Sequence, residues 1–413
     1  MIVALFTGSY PYDVTLEKTF LETEINYLAS AFDRLIIVPQ KINGDMYPVP
    51  RNVDVDESYA ALLRKTSEKL QKAISSSLLY KDIFLHPRIC LYFSAIKRLI
   101  GFSGDAELTR KWLLSFIENR NLDTSKVIFY TYWFDQTSLG IGLAKNQYPQ
   151  IKLISRAHGS DLYPERHSPA YIPCRELSLK LIERLYPDSE KGVQYINSRF
   201  PWFSPSCQVA RLGVKDPGFV TPSSRDGIFR IVSCSPVVPV KRLGLLLEGI
   251  HKLALQRSDL SLVWHHFGEG LQKRDIEERA RVSFPRNVRF DFPGYPSKEI
   301  LMEFYKNNPV DVFMNVSESE GTPVAIMEAI SCGIPVIATA VGGNAEIVTK
   351  ENGILLNGNP SPDDIAFTIM KFMGMSEKRQ QMSAGSRRVW KQKYDADVNY
   401  SLFVQTLIGL IKQ

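Results

Sequence analysis

The stretch best suited to chemistry runs Ser317-Glu-Ser-Glu320-Gly321-Thr322-Pro323-Val324-Ala-Ile-Met-Glu328-Ala-Ile-Ser-Cys-Gly333-Ile-Pro335-Val336-Ile337. An apolar run, Val310–Val316, precedes it and reads as a strand. Thr322 then suits an N-cap and Pro323 a first helical residue, with Gly333 as the stop. A strand, a helix and a second strand in this order aim the helix N-terminus, with the amides of Val324 and Ala325, at the carboxyl edge of a sheet. Open α/β sheets bind ligands at that edge, and a helix N-terminus favours phosphate. The two carboxylates, Glu320 and Glu328, suit a phosphate poorly and the vicinal hydroxyls of a ribose or hexose well. A second candidate is Arg156-Ala-His158-Gly159-Ser-Asp161-Leu-Tyr163, which follows another apolar run. A histidine at a strand's carboxyl end, with glycine after it, can reach a cleft.

The elements that must position these residues alternate along nearly the whole chain. Strands are expected at Ile2–Phe6, Leu35–Val38, Val127–Tyr130, Lys152–Ser155, Leu185–Tyr186 and Val209–Arg211. A second set follows at Ile231–Cys234, Leu262–Phe267, Val288–Phe290, Val310–Val316, Val336–Ala338 and Gly353–Leu356. Stretches with helical spacing, such as Leu16–Phe32, lie between them. Apolar strands joined by helices indicate parallel sheets covered on both faces. The Pro-, Gly- and Ser-rich segment Lys215–Gly227 reads as a linker. It divides 413 residues into two α/β domains of similar size, 1–215 and 228–391, followed by a terminal segment, 392–413.

Fifty Lys and Arg against 44 Asp and Glu give a net charge of +6. That is too mild to indicate nucleic acid without a recognisable module. The five cysteines are scattered and never spaced as C-x-x-C, which argues against a disulfide framework or zinc ribbon and for a reducing, cytoplasmic setting. Met1–Phe6 has no basic flank and reads as a strand, not a signal peptide. His265 and His266 are adjacent in a strand, so they cannot chelate one metal together. The D-x-D pairs at Asp54/Asp56 and Asp395/Asp397 read as solvated carboxylates. No metal site is expected.

In these motifs the chain resembles the retaining glycosyltransferases of family 4. Glu320 and Glu328 have the family's E-x7-E spacing, set in S-x-x-E-G-x-P-x-x-x-x-E-A-x-x-x-G-x-P-V-I. The likeness extends over the second half, through Lys241-Arg242, Phe267-Gly268-Glu-Gly270, Phe292-Pro-Gly294-Tyr295, Gly342-Gly343-Asn-Ala-Glu346 and Asn352-Gly353. It implies a GT-B fold, with two Rossmann-like parallel-sheet domains facing a central cleft and a final helix, Val398–Lys412, crossing back to the first. It also implies that a nucleotide diphosphate sugar, UDP- or GDP-linked, is a substrate, with no cofactor. Glu320 would contact the donor sugar, Glu328 the ribose hydroxyls, and Lys241 the departing pyrophosphate. Arg242, Gly268, Gly270, Gly294, Tyr295, Gly321, Thr322, Pro323 and Val324 would complete the donor site. The family's arginine five or six residues before the lysine is replaced by Ser235 and Pro236. Either Arg242 compensates or the leaving group is less well stabilised.

The segment from His158 to Tyr163 resembles the H-G-x-D-x-Y of members that build bacterial surface polysaccharides. This implies that His158 sits near the transferred sugar and that the first domain, with Tyr10 and Asp161, receives a glycan, polymer or lipid-linked acceptor. Arg156 could add charge near the donor phosphates. The competing readings are a GT-B-like sugar-nucleotide epimerase or phosphorylase, and a non-catalytic sugar-nucleotide-binding protein. Region 60–100 carries eight basic residues (Arg64, Lys65, Lys69, Lys72, Lys81, Arg88, Lys97, Arg98) against Glu68 and Asp82 on helix-compatible sequence. Together with the lack of a spanning stretch, it raises the expectation of a peripheral position on an anionic membrane surface, at the inner face of the plasma membrane.

Overall fold

The computed structural model describes residues 1–12, 17–64 and 66–412. Leu16, read as a helix start, and Lys65, counted in the basic region, lie outside them. Two compact units result: Met1–Leu212 with Val398–Gln413, and Gly213–Asp397.

The first unit holds six parallel strands: β1 (Ile2–Thr7), β2 (Arg34–Pro39), β3 (Val53–Val55), β4 (Val127–Thr131), β5 (Lys152–Ala157) and β6 (Arg184–Pro187), in the order β3-β2-β1-β4-β5-β6. Successive side chains of β1 serve opposite faces. Val3 and Leu5 enter one core with Leu35 and Ile37; Ala4 and Phe6 enter the other with Ile36 and Val38. Both faces of β1 and β2 are therefore dry, which is why these two strands read as apolar runs. The helix Ala396–Lys412 puts Phe403, Val404 and Leu407 into the Val3–Leu5 core.

Two sequence readings need correcting here. Val209–Arg211 is not a strand. The amides of Gln208 and Ala210 reach the carbonyls of Leu185 and Pro187, but no ladder develops. Conversely, β3 forms although its middle residue is charged, because Asp54 pairs with Arg34 on the neighbouring strand.

The second unit repeats the plan with β7 (Ile228–Cys234), β8 (Ser261–Phe267), β9 (Val288–Gly294), β10 (Val312–Asn315), β11 (Val336–Thr339) and β12 (Gly353–Leu356), ordered β12-β11-β10-β7-β8-β9. Counted along its own chain, each sheet has the doubly wound order 3-2-1-4-5-6. The order reverses between β1 and β4, and again between β7 and β10, and ligands of such sheets sit outside the strand ends at this switch point.

The segment read as a linker belongs to the second unit. Thr221 N donates to Cys332 O, Val310 N to Pro222 O, and Ser224 N to the Asp311 carboxylate. Residues 213–215 and 392–397 fall in this unit as well.

Candidate functional site

The second unit assembles its polar residues at the β7/β10 switch. The chain leaving β7 makes a short turn over Pro239–Lys241, and Lys241 meets the loop leaving β10. Lys241 Nζ donates to both carboxylate oxygens of Glu320, at 2.7 and 2.8 Å. Ser317 Oγ (2.6 Å) and Asn315 Nδ2 (2.9 Å) donate to the same carboxylate. Asn315 is fixed in turn, its Oδ1 accepting from Ser317 N and Asn344 Nδ2. Asn344 also donates to Thr339 O at the end of β11. Glu320 is thus buried and held on several sides, with an ammonium group against it at the sheet edge. Sequence reading passed over Asn315, a polar residue at the end of β10, and left Asn344 without a role inside the Gly342–Glu346 motif.

Close backbone approach explains two of the glycine motifs. Gly342 has φ +47°, and a Cβ there would lie 2.0 Å from Glu320 O. Glycine at this position lets the β11 loop press against the Glu320 loop, where Gly343 N bonds Gly321 O. A Cβ on Gly268 would lie 1.9 Å from Ser235 O. Gly268 and Gly270 pack against the loop after β7, with Val237 N donating to Glu269 O, and Gly268 N bonds Gly294 O. These three glycines shape the edge beside the Lys241 turn. Tyr295 stands exposed next to Gly294.

The helix Val324–Ser331 starts one residue later than the sequence suggests. Pro323, with extended ψ 105°, is its N-cap, and Thr322 lies outside it. Proline's ring limits φ but leaves ψ free, so it can take the cap instead of the first turn. The amides of Val324 and Ala325 still lack intrahelical partners, as first-turn amides must. Gly321 faces open space at this helix start.

Glu328 lies one turn further on, buried, and burial pushes its carboxyl up to about 7 against a small opposing effect of Lys298. An unfolded glutamate ionises lower, so folding takes up a proton between the two values, and the site's contribution to stability falls as pH rises through that window. Glu328→Gln is therefore expected to flatten the loss of stability between about pH 5 and pH 8. The gain at the upper end is roughly 3 kcal/mol at most. Urea unfolding of both proteins at each pH checks this.

Arg242 does not supply the missing arginine. Its Nε donates to Val316 O, Nη2 to Ser317 O and Gly358 O, and Nη1 to Asn359 Oδ1, which commits four of its five N–H donors. It is a clamp that fixes the strand ends on which Glu320 stands.

The first unit brings its candidates to the β1/β4 switch and the neighbouring end of β5. His158 caps the short helix Gly159–Leu162. Its ring is buried against Trp133 (centroids 4.5 Å apart), Tyr132 (4.8 Å) and Phe20 (6.4 Å). Neither ring nitrogen has a hydrogen-bond partner among the described residues. The Asp161 carboxylate accepts from the amides of His158 (2.6 Å) and Phe134 (2.8 Å), and lies 3.8 Å from His158 Nδ1. Burial raises this carboxyl, but the His158 ring and the two amides outweigh it and hold it below the ordinary range. Asp161, expected to touch an acceptor, instead anchors the turn that presents His158.

Tyr10, expected to help receive the acceptor, is buried in the apolar core. Arg156 is fully buried and pairs with Glu24, so its charge is not offered to a ligand. One contact joins residues that the sequence alone does not bring together. The carboxylate of Glu17 accepts from three consecutive amides, Gly8 (2.6 Å), Ser9 (2.6 Å) and Tyr10 (2.8 Å), and from Trp133 Nε1 (2.6 Å).

His265 and His266 separate as their adjacency indicated, but Asp54 and Asp56, read as solvated carboxylates, are held in ion pairs. His265 lies 3.5 Å from the Asp291 carboxylate, while His266 bonds Ser233 and is pushed down to about 3 by burial. Asp54 and Asp56 pair with Arg34 and Arg120. Among the described residues, no three His, Cys, Asp or Glu side chains could hold a metal ion.

Comparison with known proteins fits this geometry. Residues 222–389 match the family of glycosyl transferases group 1. The chain carries a glycosyltransferase group 1 domain. That domain contains Lys241, Glu320 and Glu328. A D-inositol 3-phosphate glycosyltransferase of Thermomonospora curvata is 34% identical over 140 residues, covering 33% of this chain and 30% of that protein. The O-antigen biosynthesis glycosyltransferase WbnH of Escherichia coli is 31% identical over 187 residues, covering 42% and 49%. The first of these alignments thus spans about a third of the relative's length. Beyond the group 1 domain, the whole chain shares its fold with solved structures. The lipopolysaccharide outer core galactosyltransferase WaaB covers 99% of both chains at 15% identity, with a TM-score of 0.69. Anabaena HepE in complex with UDP covers 99% of this chain and 100% of its own, also at 15% identity, with a TM-score of 0.66. The GT-B expectation for the fold holds.

Proposed function

We propose that this protein is a retaining glycosyltransferase of family 4. It moves a sugar from a nucleotide diphosphate sugar, UDP- or GDP-linked, to a glycan, polymer or lipid-linked acceptor of a bacterial surface polysaccharide. The carrying observation is the Lys241–Glu320 contact at the β7/β10 switch, one loop from the start of the helix that contains Glu328. HepE was solved with UDP, which supports the same donor class.

In this reading the first-turn amides and Lys241 offset charge that grows on the departing diphosphate, stabilising the transition state electrostatically. Glu320, held by Ser317 and Asn315, accepts from hydroxyls of the donor sugar. Glu328 accepts from the ribose hydroxyls. His158, whose Nε2 has no hydrogen-bond partner among the described residues, hydrogen-bonds the transferred sugar.

The commitment of Arg242 to backbone carbonyls favours one rival, a non-catalytic sugar-nucleotide-binding protein. Release of nucleoside diphosphate separates the two. The purified chain, screened first for nucleotides that raise its melting temperature, is then given the matching sugar nucleotides with glycan acceptors. Acceptor-dependent release supports the transferase, and binding without release supports the rival. No metal enters this mechanism, so EDTA is expected to leave release unchanged. Loss restored by manganese would contradict that expectation.

A further inference from the structure

Region 60–100 places its charges differently from what a simple count suggests. Lys69 pairs with Asp105, Arg64 donates to Ile42 O, and Arg98 donates to the carbonyls of Ser168, Pro169 and Tyr171. Lys72, Lys81, Arg88 and Lys97 have no carboxylate partner among the described residues, and the last three are exposed.

These cations flank an unusual corner of the first unit. The helix Ser77–Leu85 ends in a short turn, Pro87–Leu91, and the helix Phe93–Asn119 begins at once. Within ten residues the corner exposes Phe84 (84%), Leu85 (62%), Leu91 (79%), Tyr92 (50%) and Phe93 (83%). The side of the corner facing the protein is well made. Leu78, Leu79, Ile89, Ala95 and Leu99 form a small core, and the buried Asp82 carboxylate is tied to Tyr171. The outward residues are therefore presented by a packed scaffold. No acidic residue lies between 83 and 94, and the adjoining 168–171 segment, Ser-Pro-Ala-Tyr, is uncharged.

Five large apolar side chains in one exposed corner exceed the scattered surface hydrophobics of ordinary proteins. Aromatic and aliphatic side chains ringed by cations, with no anion among them, match the region where headgroups meet acyl chains. We infer that residues 84–93 form a wedge that inserts into an anionic lipid surface, with Lys81, Arg88 and Lys97 seated on its headgroups. This inference rests on the surface of the first unit alone and is independent of the transfer reaction.

Sedimentation of the full chain with vesicles tests it. Binding is expected to vesicles of phosphatidylglycerol and phosphatidylcholine in equal parts, and not to phosphatidylcholine alone. A basic residue at such a surface contributes about fivefold in affinity, so Lys81→Glu/Arg88→Glu/Lys97→Glu should weaken binding by roughly 10² or more and abolish its salt dependence. Phe84→Ser/Leu91→Ser/Phe93→Ser should weaken it at least about tenfold at every salt concentration. The circular dichroism spectrum and melting temperature of each variant, compared with the parent's, show whether it remains folded. No binding to the anionic vesicles at low salt overturns the wedge, as does equal binding by parent and both triple variants. So does a concentration-dependent dimer that the apolar triple variant abolishes in a parent that ignores vesicles. That last result would assign the corner to a second copy of the chain.

Discussion

Lys241→Ala is expected to lower kcat by roughly 10²–10³-fold, the loss typical of removing one preorganised donor from a developing anion. The substitution deletes the ammonium group that donates to both Glu320 oxygens, while Ser317 and Asn315 still hold that carboxylate. The site should keep its shape and lose its positive charge. Donor KM should change far less than kcat, because a charge that matters mainly as the diphosphate departs contributes little to ground-state binding. Glu328→Ala should show the opposite pattern, raising donor KM with the smaller effect on kcat. Steady-state nucleoside diphosphate release at several donor concentrations separates the two. Unchanged kinetics in the Lys241 variant would remove it from the mechanism.

Arg156→Met is expected to destabilise the first unit by about 3–5 kcal/mol, the usual result of leaving one member of a buried ion pair without its partner. Arg156 and Glu24 are both fully buried, 3.0 Å apart. Arg156 Nε donates to Tyr130 OH, which itself donates to Glu24 at 2.7 Å. The guanidinium also lies 4.4 Å from the ring centre of Phe403, on the last helix. The network thus ties α/β core and terminal helix together within one unit. Adding Glu24→Gln should restore much of the loss, since it removes the orphaned charge. Chemical unfolding of parent, single and double variants measures this. A single variant as stable as the parent would show that the pair contributes nothing.

These two residues also mark where the sequence was legible and where it was not. Strands such as β1, β4, β10 and β11 were readable because both faces are covered, so each is a nearly continuous apolar run, whereas β9 showed as an alternation of buried Val288 and Phe292 with exposed Arg289 and Asp291. The short β3 was hidden by Asp54, whose partner Arg34 lies on the next strand. The β10–helix unit around Glu320 and Glu328 was readable to within one residue at Pro323. What sequence could not give was the choice of partner across long chain separations. Arg156 and Arg242 both follow apolar runs and look like ligand contacts. Only the fold shows that one is sealed against Glu24 and that the other is spent on strand-end carbonyls. Asp161 likewise reads as a contact and serves as an anchor. The amides of Gly8, Ser9 and Tyr10 meet Glu17 only because the loop after β1 folds back onto the following helix.

Proton NMR of the glycoside formed from a sugar nucleotide of known anomeric configuration bears most directly on the proposed reaction. With a UDP- or GDP-sugar linked axially at its anomeric carbon, the first product detected should carry the new bond axially as well, and the Lys241→Ala protein should form the same anomer more slowly. An equatorial product, or release of nucleoside diphosphate that does not depend on an acceptor, would contradict retaining transfer at the Lys241–Glu320 site.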